Sequence, residues 1–170
     1  MTVAEAIGGR RSIRSYLPRE VEAEKLAAVL EAGRLAPSAR NRQEWRFVAV
    51  TDPTLRERLA QAAHGQEFVA QAPVVLVVCD TGGEYVMTCG QPGGTVDCSI
   101  ALSFMMLQAT ELGLGTCWLG KYDEQDVREI LGIPPAVRVV AMTPLGYPAE
   151  DPAARPRKQS AEVLAFNGYR

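Results

Sequence analysis

The sequence predicts an α+β fold, and three stretches carry that prediction. Residues 72–80, APVVLVVCD, are a continuous β-branched run of the kind buried on both faces of a central strand. Residues 20–36 place Val21, Leu26, Val29, Leu30 and Ala36 on one helical stripe with charges opposite. Residues 95–112, TVDCSIALSFMMLQATEL, suffice for about five helical turns, with apolar side chains almost all the way round. Helical and strand-like patterns mix without the regular βαβ rhythm of a parallel sheet.

In chain order, Pro37 ends the first long helix by biasing Ala36 away from helical backbone, so a loop begins there. WRFVAV at 45–50 reads as a strand, and Asp52-Pro53 supplies an N-cap and a first-turn proline for a helix over 53–63. Residues 81–94 carry five glycines and one proline, the composition of a flexible loop or short lid beside the core. Gly113-Leu114-Gly115 stops the long helix, GTCWLG at 115–120 reads as a short buried strand, and Asp123 opens a helix over 123–131. Residues 137–147 form a last strand, whose Pro144 is expected at a sheet edge or in a turn. The proline-rich tail 148–170 has no core of its own, so it is expected to fray or to lie on a partner subunit. The helix over 95–112 points to the same partner. A domain this small cannot cover it on every side, so packing against its own copy across a two-fold axis is expected. On that reading aspartate at Ile100 or Met105 breaks the dimer.

The length of 170 residues and 47% apolar content suffice for one domain spanning 1–170. A formal charge of -2 argues against a surface that gathers nucleic acid or anionic lipid at long range. No apolar run approaches the roughly 20 residues that cross a bilayer, and no leader-like segment opens the chain, so a cytoplasmic location is expected. Cys79, Cys89, Cys98 and Cys117 contain no C-x-x-C, and His64 is the sole histidine, so no metal site is expected. Cys79 and Cys117 read as small apolar side chains within strands.

Four stretches could carry chemistry. Arg10-Arg11-Ser12-Ile13-Arg14-Ser15-Tyr16 packs three guanidiniums and two serine hydroxyls into seven residues, a donor set suited to a phosphate monoester. Arg155-Pro156-Arg157-Lys158 could close on the same phosphate. Read alone, either is a solvated basic patch. Pro37-Ser38-Ala39-Arg40-Asn41-Arg42-Gln43-Glu44-Trp45 is a hydrogen-bonding loop whose bland reading is a capped turn. In the run from Gly113 to Lys121 a strand ends on glycine and frees backbone N–H groups for a flat ligand, or is merely a strand and a turn. Neither a Rossmann fingerprint nor a P-loop is present.

Together and in this order, R-R-S-I-R at 10–14, A-P-S-x-x-N at 36–41 with Trp45, A-P at 72–73, G-L-G-T-C-W-L-G at 113–120 and P-L-G-Y-P at 144–148 resemble the nitroreductase family of flavoproteins, from about residue 4 to 165. The resemblance implies a three-layer α-β-α sandwich with a mainly antiparallel sheet, a long central helix at a homodimer interface and a C-terminal arm reaching the partner. It implies FMN held non-covalently in two sites shared between subunits, with NADH or NADPH as co-substrate. Arg10, Ser12 and Arg14, with Arg11 beside them, would hold the phosphate, ribityl and pyrimidine side, and Arg155 and Arg157 would complete the phosphate site. Pro37, Ser38, Ala39 and Asn41 of the other subunit would line the ring.

Leu119-Gly120-Lys121 matches the turn that offers a backbone N–H to flavin N5, a donor suited to an atom that gains and loses hydride. Gln66 falls near a position that touches the pyrimidine edge. Lys121 stands where many relatives have a second glycine, and Glu44 where many have proline. The implied activity is ping-pong hydride transfer to a nitroaromatic, quinone or enone with no obligatory acid or base. Tyr85, Met87, Trp118 and Tyr122 are candidates to line the acceptor slot, against a plain packing role. The rival readings are an FMN-binding regulatory or storage module, a dehalogenase or flavin-modifying relative, and an unliganded interaction domain. Segment 81–94 is too short for a deiodinase-type lid.

Overall fold

In the computed structural model, which describes residues 1–169, β2 (Val74–Asp80) is the organising element. All seven of its residues are buried, and it pairs antiparallel with β1 (Trp45–Val50) on one side and β4 (Arg138–Gly146) on the other. With β3 (Gly115–Thr116) the sheet runs in the order β1-β2-β4-β3, antiparallel throughout. Alternation along β2 builds two cores. Val75, Val77 and Cys79 pack with Leu59 of α3 (Pro53–Ala62), Val69 of α4 (Phe68–Gln71) and Val127 of α6 (Glu124–Leu131). Val74, Leu76 and Val78 pack with Val29 of α2 (Ala23–Arg34) and Leu102 and Met105 of α5 (Gly93–Glu111). The result is helices, sheet, helices. Arg170 of the expected 1–170 domain lies outside the described residues.

Two expectations are corrected. Pro144 is not at an edge but within β4, opposite Val75 of β2. Its missing N–H falls on the β3 side, where the Thr116↔Leu145 register is interrupted and resumes as an isolated Leu119↔Met142 bridge. Between these points the Cys117 N–H donates to Thr143 Oγ1 at 3.0 Å, and that hydroxyl donates to Pro144 O at 3.0 Å. A threonine side chain thus carries the ladder past the imino acid, and the expected strand over 115–120 shortens to two residues.

The second correction concerns α5. Met105 is wholly buried inside its own chain, against α2 at Gly33, where a Cβ would lie 2.0 Å from Met105 Cε. It is a core residue, not an interface probe. Ile100 belongs to the other face, which continues through Phe104, 43% exposed, and the half-buried Val96 and Leu107. Beside that face, α1 (Val3–Gly9) leaves an apolar groove lined by Met1, Val3, Ala6, Phe104 and Leu107.

The tail begins in order, with the Ala149 N–H on Ser15 O at 2.9 Å, and beyond Pro152 every described residue of it is exposed. After the single turn α7 (Ser160–Val163), Val163, Leu164, Phe166 and Tyr169 are all exposed. Among the described residues no helix is long and apolar enough to cross a membrane.

Candidate active site

The first functional stretch is pressed onto the sheet by one residue. Ile13 is buried, its N–H donates to Thr116 O at 2.9 Å, and Gly115 admits it, since a Cβ there would meet Ile13 Cγ1 at 2.7 Å. Flanking residues on this extended segment face away from Ile13, and the chain at 147–150 runs alongside, Leu17 N–H to Tyr147 O at 2.9 Å. The tail continues antiparallel along this segment. Arg155 and Arg157 join Arg10, Arg11, Ser12 and Arg14 around one concave surface. Arg11 is partly committed, donating to Gly8 O at 2.8 Å and Arg10 O at 3.0 Å. Among the described residues Arg10, Arg14, Arg155 and Arg157 enter no ion pair. Unpaired like charges gathered in one concavity favour an anion as their counter-charge. Sequence reasoning missed Glu150, whose carboxylate accepts the Arg14 N–H and ties the tail to the cradle; an isolated glutamate in a polar tail carries no signal.

The loop that follows α2 is held from within and from below. Ser38 Oγ accepts the Gln43 N–H at 3.1 Å, Ser38 O accepts the Asn41 N–H at 3.0 Å, and Asp97 of α5 accepts the Ala39 N–H at 3.0 Å. Arg40, Asn41 and Gln43 sit in the left-handed region at φ 54, 55 and 53, a conformation that costs about 1 kcal/mol or more for each residue and persists only where surroundings enforce it. Asp97, 6% exposed, is one of those enforcers and was not legible in the sequence. Arg42 pairs with Glu44 and lies 4.3 Å over the Tyr85 ring, docking segment 81–94 on this loop. Within the chain, Pro37, Ser38, Ala39 and Asn41 do not line the arginine cradle.

The turn at 119–121 is clamped on both sides of an open peptide. The Leu119 N–H donates to Met142 O at 2.8 Å, and Leu119 O accepts from Met142 at 3.3 Å. Gln66 Nε2 donates to Lys121 O at 3.1 Å, and the Asp123 N–H donates to Ala62 O at 2.8 Å. The Gly120 and Lys121 N–H groups donate to nothing among the described residues, and both residues are exposed. The structure therefore brings Gln66 to the turn. Tyr122 proves to be packing: it joins the α3–α6 core, and its hydroxyl donates to Val139 O at 2.8 Å.

The three buried thiols are structural. Burial pushes Cys79 up to about 11 and Cys98 to about 12. Cys117 is also raised by burial, against the opposing pull of Arg14, Ser12 and Arg10. Among the described residues no cluster of three potential metal ligands occurs.

A family model described as the nitroreductase family matches residues 7–68 and 62–147. The chain belongs to the nitroreductase family. An NADH dehydrogenase of Thermus thermophilus is 36% identical over 173 residues, covering 84% of this chain and 84% of its own. An FMN reductase [NAD(P)H] of Bacillus subtilis is 31% identical over 177 residues, covering 91% and 69%. The solved NADPH:FMN oxidoreductase of Vibrio harveyi, complexed with NAD+, superposes with a TM-score of 0.91 at 30% identity, covering 99% of this chain and 78% of its own. In this nitroreductase-family fold the cradle and the clamped turn lie along one segment, since Thr116 accepts from Ile13 and Gly120 follows four residues on.

Proposed function

We propose that this nitroreductase-family chain is an FMN-dependent oxidoreductase that takes hydride from NADH or NADPH and passes it, in ping-pong order, to a small acceptor such as a nitroaromatic, quinone or enone. The observation that carries the reading is an arginine cradle without ion pairs among the described residues, linked through Ile13, Thr116 and the segment to Gly120 to a turn with unclaimed N–H donors. About 13 Å of extended chain separates Thr116 from Gly120, room for a ribityl chain between a phosphate and a flat ring. The donor set fits a phosphate monoester: Arg10, Arg14, Arg155 and Arg157 supply forked charged donors, Ser12 a hydroxyl, and Arg11 what its carbonyl contacts leave free.

FMN, when bound, supplies the hydride chemistry. The chain's own residues bind, orient and exclude. Leu119, held in the ladder, fixes the turn, and the Gly120 and Lys121 N–H groups would be the donors offered to the reacting edge of the ring, where fixed donors stabilise developing charge. Pro37, Ser38, Ala39 and Asn41 of a second copy would line the ring if the exposed α5 face pairs in a homodimer. The strained loop is preorganised, so little ordering cost remains when a ligand arrives. We read residues 1–170 as one FMN-binding domain acting in the cytoplasm, where reduced nicotinamide is at hand.

A visible spectrum of the purified, dialysed protein, followed by anaerobic NADPH or NADH, tests the reading. Flavin bands that bleach on addition, and return with an acceptor, are expected. A colourless protein that takes up no added FMN overturns it; a flavinated protein that no reduced nicotinamide bleaches points instead to a storage or regulatory module.

A further inference from the structure

We propose that Glu150 is a positioning residue for the phosphate end of the site: its hold on the Arg14 N–H anchors the tail run that brings Arg155 and Arg157 to the cradle, and with it the preference for a phosphorylated over an unphosphorylated flavin. The inference rests on the reading of the cradle as a phosphate site.

Glu150 grips a peptide that is already fixed. Ile13 O and the Arg14 N–H belong to one planar unit. The oxygen accepts the buried Tyr16 hydroxyl at 2.8 Å, and the N–H donates to the Glu150 carboxylate. One peptide earlier, the Ile13 N–H is held by Thr116 O at 2.9 Å. Backbone pairing along this edge stops at the bond from the Ala149 N–H to Ser15 O. Among the described residues nothing from 150 to 158 makes another hydrogen bond, so Glu150 is the last such tie between the body and the two tail arginines.

The run beyond Glu150 carries its direction forward. Pro152 and Pro156 fix their own φ at about −65° and keep Asp151 and Arg155 extended. The chain from Glu150 to Arg155 therefore spans up to about 17 Å with few soft torsions. Arg155 and Arg157, two apart in an extended run, share a side, and both line the cradle. A rotation where the run leaves the body displaces both guanidiniums together. Glu150 does not itself line the cradle, and among the described residues it enters no ion pair. It holds the tail as a hydrogen-bond acceptor and draws no guanidinium away from the anion. Its charge, close to a phosphate, only opposes binding.

The experiment compares Glu150→Ala, which removes the tie, with Glu150→Gln, which keeps an acceptor oxygen without the charge. Equilibrium dialysis against FMN and, separately, against riboflavin, which lacks the phosphate, reads the effect. E150A should weaken FMN binding about tenfold and riboflavin binding by less than about twofold, while E150Q binds FMN at least as tightly as the parent. NMR order parameters of the Arg155 and Arg157 amides should fall in E150A and not in E150Q. With Arg155→Ala and Arg157→Ala already in place, the loss from E150A should shrink below about threefold, whereas beside Arg10→Ala it should stay at about tenfold. Parental FMN affinity or parental amide order in E150A overturns the proposal. So does an equal loss for riboflavin, the mark of general damage, or an undiminished loss when both tail arginines are alanine. E150Q as weak as E150A also overturns it, since the charge and not the tie is then the cause. A parent that binds riboflavin as tightly as FMN removes the phosphate reading, and the inference falls with it. If the parent prefers FMN and E150A keeps that preference in full, the phosphate site stands and Glu150 has no part in it.

Discussion

The two faces of α5 are similar in composition and opposite in fate. Cys98, Ala101, Leu102, Met105 and Ala109 are buried within the chain, against β2, β4 and α2, whereas Val96, Ile100, Phe104 and Leu107 remain wholly or partly uncovered. Both faces are apolar enough to drive burial at about 25 cal/mol per Å², so hydrophobicity does not say which one a sheet will cover. What separates them is shape. The inner face carries small residues and meets Gly33 of α2, which lets the helices approach closely, while the outer face presents a ridge ending on Phe104. The inner face is the means of folding. The outer face, in the proposed homodimer, is the means of completing the site.

Aspartate substitution separates the faces most sharply. Met105→Asp should cost several kcal/mol, on the order of the whole stability of a domain, because it buries an unpaired charge; chemical denaturation reads this directly. Ile100→Asp should leave a folded monomer without FMN, seen by sedimentation and visible absorbance, and a dimer with full flavin would break the contrast. Arg10→Ala with Arg14→Ala acts inside one chain. FMN affinity should fall by at least about a hundredfold, since each charged hydrogen bond contributes about 1.5–3 kcal/mol, while sedimentation still shows a dimer.

Truncation before Arg155 removes two cradle arginines together with the exposed Val163, Leu164 and Phe166. It should weaken dimer and flavin binding together, by about tenfold or more for FMN, and an intact dimeric holoprotein would show the arm dispensable. Asp97→Ala leaves the Ala39 N–H without its acceptor, a loss of about 1–3 kcal/mol, which should appear in thermal stability and FMN affinity with the dimer intact and be partly restored by Asp97→Asn.

The smallest effect concerns the far end of the inner face. There Lys25 donates to Leu112 O and to Tyr147, which donates to Glu22 at 2.6 Å. The Tyr147 hydroxyl, more than any other group, holds Glu22 down to about 2, from an ordinary value near 4.5. A depressed carboxylate contributes stability that is complete above the ordinary range and is lost as pH falls toward the folded value. An acid titration of stability should therefore decline between about 4.5 and 2, and Glu22→Gln should flatten that limb without altering the dimer.

Local chemistry was the legible part. The β-branched run at 72–80 became the buried β2, Asp52-Pro53 capped α3 through the Leu55 N–H at 2.9 Å, and Asp123 capped α6. The arginines were legible as two charged clusters, and the structure brings both to one concave surface. Asp97, Glu150 and the clamp from Gln66 were not, because each acts through a backbone group 55 to 136 residues away, and no local pattern records which carbonyl or N–H a side chain will meet.

Sequence alone determined the main helices and the central strand, the caps of α3 and α6, and two clusters of arginine, because propensity, capping and charge act over a few residues. Only the tertiary structure decided that Met105 faces inward and Ile100 outward, that Pro144 sits inside a strand with Thr143 bridging its missing donor, and that Gln66 spends both amide hydrogens on carbonyls. Those outcomes depend on which surfaces meet, and packing is settled by the shape of the whole chain.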